Sequence, residues 1–162
     1  MEASHSVPEL VGAAQSTANA CQNRISEIQS LKGAAQDLDA AIAELEAVVV
    51  DIFSVFEARM QHHFKRGPFS RKLKAKLLEA GEPDLADRLH QYYLAVNVLK
   101  HGKGASYREL LKNPSALITM NNADDVTAHE DRATSGLVDV TPTGFFDGLC
   151  ATILEATAFL EG

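Results

Sequence analysis

The chain has 162 residues, of which 46% are hydrophobic and 23% charged, with a formal net charge of −7. That balance suits one globular domain over residues 1–162 and excludes a fibrous or disordered class. No run of apolar residues approaches the ~20 that a membrane span requires, and the first ten residues lack the basic start and apolar stretch of a signal peptide, so no membrane partner and a cytoplasmic location are expected.

The net charge hides an asymmetry. Twelve of the 15 Lys and Arg residues lie between Arg59 and Lys112 with only five acids among them, which makes that segment +7 and leaves −14 on the rest. Such a segment is either a solvated face that pairs with acidic helices of its own bundle, or a site for an anion or an acidic partner. Cys21 and Cys150 form no CxxC pair and fall on apolar stripes, so both read as reduced core thiols.

In chain order, Ser6-Val7-Pro8-Glu9 is a capping box and starts a helix. Leu10, Ala14, Thr17, Cys21, Ile25, Ile28 and Leu31 then follow at spacings of three and four. After Gly33 the same rhythm continues through Leu38, Ile42, Leu45, Val49, Ile52, Phe56, Met60 and His63. The two segments form either an antiparallel hairpin turning near Gly33, which we prefer, or one bent helix.

Gly67-Pro68 stops this helix, and Ser70 is placed to cap a short basic one that ends at Gly81. Pro83 opens the next helix, whose core face is Leu85, Leu89, Tyr92, Val96 and Leu99, and Gly102 is placed to close it in the left-handed conformation. Ser106-Tyr107-Arg108-Glu109 has the pattern of a second capping box, for a helix that cannot pass Pro114. Residues 115–141 lose the helical rhythm. Their short β-branched runs, Leu117 to Met120 and Leu137 to Val140, flank an acidic polar stretch and predict a small hairpin or a surface loop. Thr141-Pro142 begins the last helix, with Phe145, Phe146, Leu149, Cys150, Ile153, Leu154 and Leu160 on its buried side. The expected class is therefore all-α: a helical bundle of about four main helices with short extra helices and a small irregular or β-hairpin insertion near 115–141.

The helix from Pro83 carries the features that ask for a function. At ~100° per residue from Leu85, Tyr93 comes at about 80°, Asn97 at about 120°, His90 at about 140° and His101 at about 160°, so four polar or half-polar side chains share one flank. Leu94 and Val98 lie at about 180° and 220°, nearly opposite the core face. A second neighbour is implied, either another helix of the chain or a second copy of it. In one reading the flank satisfies backbone groups, and Lys100 and His101 suit the negative end of a helix dipole. In the other, Asn97, Lys100, His101, Lys103 and Arg108 bind an anion, with His90 and Tyr93 lining the site and His101 as the candidate catalytic residue.

An all-helical bundle in which a helix ends in Asn97-Val98-Leu99-Lys100-His101-Gly102 resembles the HEPN domains, the higher eukaryote and prokaryote nucleotide-binding family. The resemblance rests on that motif together with the helical architecture, loosely over residues 35–160. It implies a homodimer and an RNA or nucleotide ligand. Active members cut RNA without metal, using an Arg, four to six further residues and a His. The positions that would hold this Arg before His101 are Leu94, Ala95 and Val96. The implied role is thus a non-catalytic module binding a nucleotide, RNA or another anionic partner. A purely structural or protein-interaction bundle is the alternative, and a metal-independent ribonuclease with a non-standard site the third reading.

No cofactor is expected. None of the expected helices carries a Glu-x-x-His, and the chain has no His-Glu-x-x-His. His62 and His63 are adjacent and on a helix would point ~100° apart, so at most one joins any cluster, His63 reads as a satisfied core histidine, and no metal site is expected. No serine stands in a nucleophile elbow.

Overall fold

The structure is a computed structural model that describes residues 6–31, 35–64, 68–102, 104–114, 117–120 and 137–161. Helix α1 spans Val7–Ser30 and begins at the expected capping box, in which the Ser6 hydroxyl accepts from the Glu9 amide and the Glu9 carboxylate accepts from the Ser6 amide. Helix α2 spans Ala35–Met60 and packs along α1. Arg24 reaches Glu44 at 3.2 Å, while Leu10 to Thr17 lie beside Val48 to Val55, so the pair is an antiparallel hairpin. Gly33, its expected pivot, lies outside the described residues.

A 3₁₀ turn, Gln61–His63, follows α2 directly. Of the expected Gly67-Pro68 stop, Gly67 lies outside the described residues, and Pro68 stands at the N-cap of α3, Phe69–Glu79. Ser70 is therefore inside the first turn rather than at the cap. Its hydroxyl instead donates to the Glu57 carboxylate of α2 at 3.5 Å. Helix α3 ends in a Schellman arrangement: the Gly81 amide donates to the Leu78 carbonyl and the Glu82 amide to the Leu77 carbonyl, with Gly81 at φ +79°.

Helix α4, Pro83–His101, opens on Pro83 and packs against α2 and α3 before it, and against α5, Ala105–Lys112, after it. Strands β1, Thr119–Met120, and β2, Val138–Asp139, pair antiparallel, Thr119 opposite Asp139, and β2 also touches α4. The small hairpin read from the β-branched runs is present. The acidic stretch between the strands, 121–136, lies outside the described residues. Asp139 accepts from the amide and the hydroxyl of Thr141, which turns the chain into α6, Thr143–Glu161.

The core lies where α1, α2, α4 and α6 converge: Val11, Ala18 and Ile25 of α1, Leu45, Val49, Phe53 and Phe56 of α2, Tyr92 and Val96 of α4, and Phe146, Leu149 and Ile153 of α6. Phe69 closes one side, edge-on to Phe56 and Phe64 at 5.5 and 5.6 Å between ring centroids. Helices α4 and α6 run antiparallel. Arg88 grips Glu155 with two hydrogen bonds of 2.7 and 3.0 Å, and the Tyr92 hydroxyl donates to the Phe145 carbonyl at 3.2 Å. Both cysteines are buried and free.

Helix α6 corrects the reading of apolar runs. Among the described residues it is the one helix long and apolar enough, by length and composition, to cross a membrane, with a mean hydropathy of 1.2. Its apolar side faces the bundle, burying Phe145, Phe146, Leu149, Cys150, Ile153 and Ala156 against α1, α2 and α4. An apolar core helix meets the same compositional test as a spanning one.

Candidate functional site

Helix α4 is enclosed because the chain supplies its second neighbour. Leu94 and Val98 are 4% and 0% exposed within a single chain. No second copy of the chain is needed to cover them.

The polar flank is spent largely on holding α5. His90 Nε2 lies 2.8 Å from a carboxylate oxygen of Glu109, and the Asn97 amide donates to the Ser106 hydroxyl at 3.2 Å. Residue 90 pairs with 109 and 97 with 106, so α5 folds back antiparallel along α4. The expected capping box at Ser106 is absent for the same reason: the helix starts two residues earlier, at Ala105 behind Gly104, with Ser106 and Glu109 both turned toward α4. Tyr93 stacks on His90 with 6.2 Å between ring centroids and 25° between planes. Tyr107 and Leu110 are the buried side of α5.

Gly102 makes the fold-back possible. Its φ is +75°, as expected, but its ψ of −139° sends the chain out extended rather than into the left-handed helical well. A side chain rarely adopts that backbone. The Gly102 amide donates to the Val98 carbonyl, and the Gly104 amide returns to the Gly102 carbonyl.

Of the predicted anion-binding residues, Lys100, His101 and Arg108 are exposed, and Asn97 is half-buried and engaged with Ser106. Lys103 lies outside the described residues. Two of the surface hollows are lined by described residues alone. One, of about 740 Å³, runs past Asp84, Asp87, Arg88, Gln91, Asn113 and Leu117, and the other, of about 260 Å³, is an apolar groove between α1 and α2; neither includes Lys100, His101 or Arg108. The positions that would hold a catalytic Arg, Leu94, Ala95 and Val96, are all buried.

The cations differ in what they do. Arg88 is committed to Glu155, whose carboxyl is held below its ordinary range by the Arg88 hydrogen bonds. The Lys76 ammonium sits 5.8 Å over the Phe64 ring. Lys100 lies close enough to Glu57 to act on it: burial raises the pKa of this half-buried carboxyl, while the Lys100 charge and the Ser70 hydroxyl pull it back. Arg71, Lys72, Arg108 and Lys112 are exposed, and none forms an ion pair among the described residues. They sit on α3 and α5, the two short helices that flank α4.

A second cluster escaped the sequence reading. His62, His63 and Glu161 each place one potential ligand atom within 4.8 Å of the others, where the 3₁₀ turn after α2 meets the end of α6. The two imidazole rings do not diverge; their centroids are 4.1 Å apart. Helical geometry fixes only the direction of each Cβ. His62 Nδ1 reaches the Arg59 carbonyl at 2.7 Å, and with its ring so anchored the two side chains lean together. His63 is not a satisfied core histidine either: its Nε2 is shut from solvent without a hydrogen-bond partner, 3.9 Å from Glu161.

No protein-family model matches this sequence, and no curated protein or solved structure is significantly similar to it. The functional reading stands on the residues themselves.

Proposed function

We propose that the chain is a non-catalytic RNA-binding module whose contact face is made by α3, the end of α4 and α5. The observation that carries this reading is the separation of roles along these helices. His90 and Asn97 are consumed in seating α5, while Arg71 and Lys72 on α3, Lys100 and His101 at the end of α4, and Arg108 and Lys112 on α5 remain exposed. Exposed cations on α4 and on both short helices packed against it suit an extended polyanion better than a single phosphate, because each phosphate neutralised releases counterions and the contributions accumulate along the strand. The resemblance of Asn97 to Gly102 to the HEPN motif points the same way, and buried apolar side chains at 94, 95 and 96 leave His101 without the cation that the catalytic members use. Any two-fold assembly would use a face other than Leu94 and Val98.

The experiment is fluorescence anisotropy with a labelled single-stranded RNA, followed by competition with an acidic peptide of matched charge. Binding of the RNA that the peptide displaces only weakly supports the reading. Tight capture of the peptide with no RNA binding would replace it with an acidic protein partner, and binding of neither would leave a structural bundle.

A further inference from the structure

We propose that His62, His63 and Glu161 form a binding site for a transition-metal dication such as zinc, which clamps the end of α2 to the end of α6. Three observations support this independently of the basic face. The first is the cluster itself, two imidazoles and a carboxylate from two different elements with their ligand atoms within 4.8 Å of one another. The second is His63 Nε2, a buried ring nitrogen that no protein group satisfies. Such an atom costs stability unless it has a partner, and a metal ion would be one. The third is the orientation of His62. A proton on its Nδ1 is donated to the Arg59 carbonyl at 2.7 Å, which leaves the lone pair on Nε2. A backbone carbonyl bonded to the far nitrogen is the usual way a ligating histidine is held in its tautomer.

The donor set fits the metal class. Imidazole nitrogens with one carboxylate suit zinc, cobalt, nickel or copper rather than calcium or magnesium, which take oxygen donors. Ligands at about 2.0–2.1 Å from one zinc stand roughly 3.3 Å apart in a tetrahedron. His63 Nε2 and Glu161 are now 3.9 Å apart and all three ligand atoms lie within 4.8 Å, so binding requires each pair to close by at most about 1.5 Å. Glu161, exposed at the end of α6, can supply it. Three protein ligands leave the fourth position to water. Residue spacing carries no such signal, because the third ligand lies about a hundred residues from the histidines.

The test uses the full chain without an affinity tag, stripped of metal, and titrated with zinc against a chromogenic indicator and with cobalt by absorbance. One equivalent should bind, raise the melting temperature, and give cobalt d–d bands without a thiolate charge-transfer band. His62→Ala and Glu161→Gln, both at exposed positions, should each weaken zinc binding at least about tenfold, or about 1.4 kcal/mol, and remove the thermal shift while leaving the metal-free melting temperature nearly unchanged. No saturable binding, binding undiminished in both variants, or a thiolate band would each overturn the proposal.

Discussion

His90 on α4 and Glu109 on α5 meet at 2.8 Å, nitrogen to carboxylate oxygen, and seven residues further along α4 Asn97 holds Ser106. Together the two hydrogen bonds fix the angle at which α5 returns along α4. The pair is partly solvated, with side-chain exposures of 25% and 46%, so its coupling should be small, about 0.2–1 kcal/mol. A double-mutant cycle of His90→Ala and Glu109→Ala, read by urea melts, should return a coupling in that range. RNA affinity should survive His90→Ala. Weaker binding at unchanged stability would instead place His90 against the RNA.

Val98 is fully enclosed within the single chain. Val98→Ala should therefore cost roughly 1–3 kcal/mol of stability, and Val98→Glu should unfold the chain, since a carboxylate would be buried without a partner. Sedimentation equilibrium of the wild type and of Val98→Ala should give the same mass. A change of mass on substitution would return Val98 to an interface between copies.

Gly148 on α6 faces Tyr92 on α4, and a Cβ there would run into the Tyr92 hydroxyl. Gly148→Ala should destabilise the fold by about 1–3 kcal/mol, although alanine is the better helix former. In a Tyr92→Phe background the clash loses its closest atom, so the same substitution should cost less. Equal costs in both backgrounds would mean that the two residues do not constrain each other.

Burial pushes the Cys150 thiol up from 9.0 to about 12, with the negative charge of Asp147 adding to it. Burial also pushes the Tyr92 phenol from 10.0 to about 12, against the pull of Arg88. Both groups hold their protons longer folded than unfolded. The stability they contribute is complete below about pH 9, declines as the unfolded thiol and then the unfolded phenol ionise, and is gone once pH passes about 12. The slope should approach about 1.4 kcal/mol per pH unit for each proton. Chemical denaturation between pH 8 and 11 should show this decline, and Cys150→Ala and Tyr92→Phe should each flatten it. An unchanged slope in both variants would assign the alkaline transition to other groups.

The parts of the fold that are legible in the sequence are those governed by local rules. The Ser6 box, Pro83 at a helix start and glycines at 81 and 102 where φ is positive follow from backbone needs that neighbouring residues meet, and the apolar stripes of α2 and α6 follow from helical spacing. On α1 the expected stripe holds only at Cys21 and Ile25: Val7, Val11 and Ala18 are buried in place of Leu10, Ala14 and Thr17, and Leu31 is exposed. Expectation and structure part where a side chain has a choice of partner. Ser70 and Ser106 each stand in a capping pattern, yet Ser70 turns to Glu57 and Ser106 to Asn97, because helices brought alongside offer hydrogen bonds that compete with the cap. Periodicity marks Leu94 and Val98 as covered, but it carries no information on which element covers them. The polar flank is visible as a flank, while its main use, seating α5, depends on a fold-back that no spacing encodes. For His62 and His63 the angle between backbone directions is the wrong measure, since the His62 ring is held on the Arg59 carbonyl and leans against its neighbour.

The most direct test of the basic face is the salt dependence of RNA affinity, because it counts the phosphates neutralised and ignores how the partner is shaped. Anisotropy should be measured from low to physiological salt for the wild type, for Arg71→Ala with Lys72→Ala, for Arg108→Ala with Lys112→Ala, and for Arg24→Ala as a control on α1. The wild type should show a linear fall of log affinity with log salt. Each double variant should lower that slope by roughly 1–2, about 0.7 for every single-strand phosphate that is no longer neutralised, with its melting temperature close to that of the wild type and Arg24→Ala unchanged. A wild type that binds no RNA at low salt, or double variants with the same slope as the wild type, would contradict the RNA-binding role of this face.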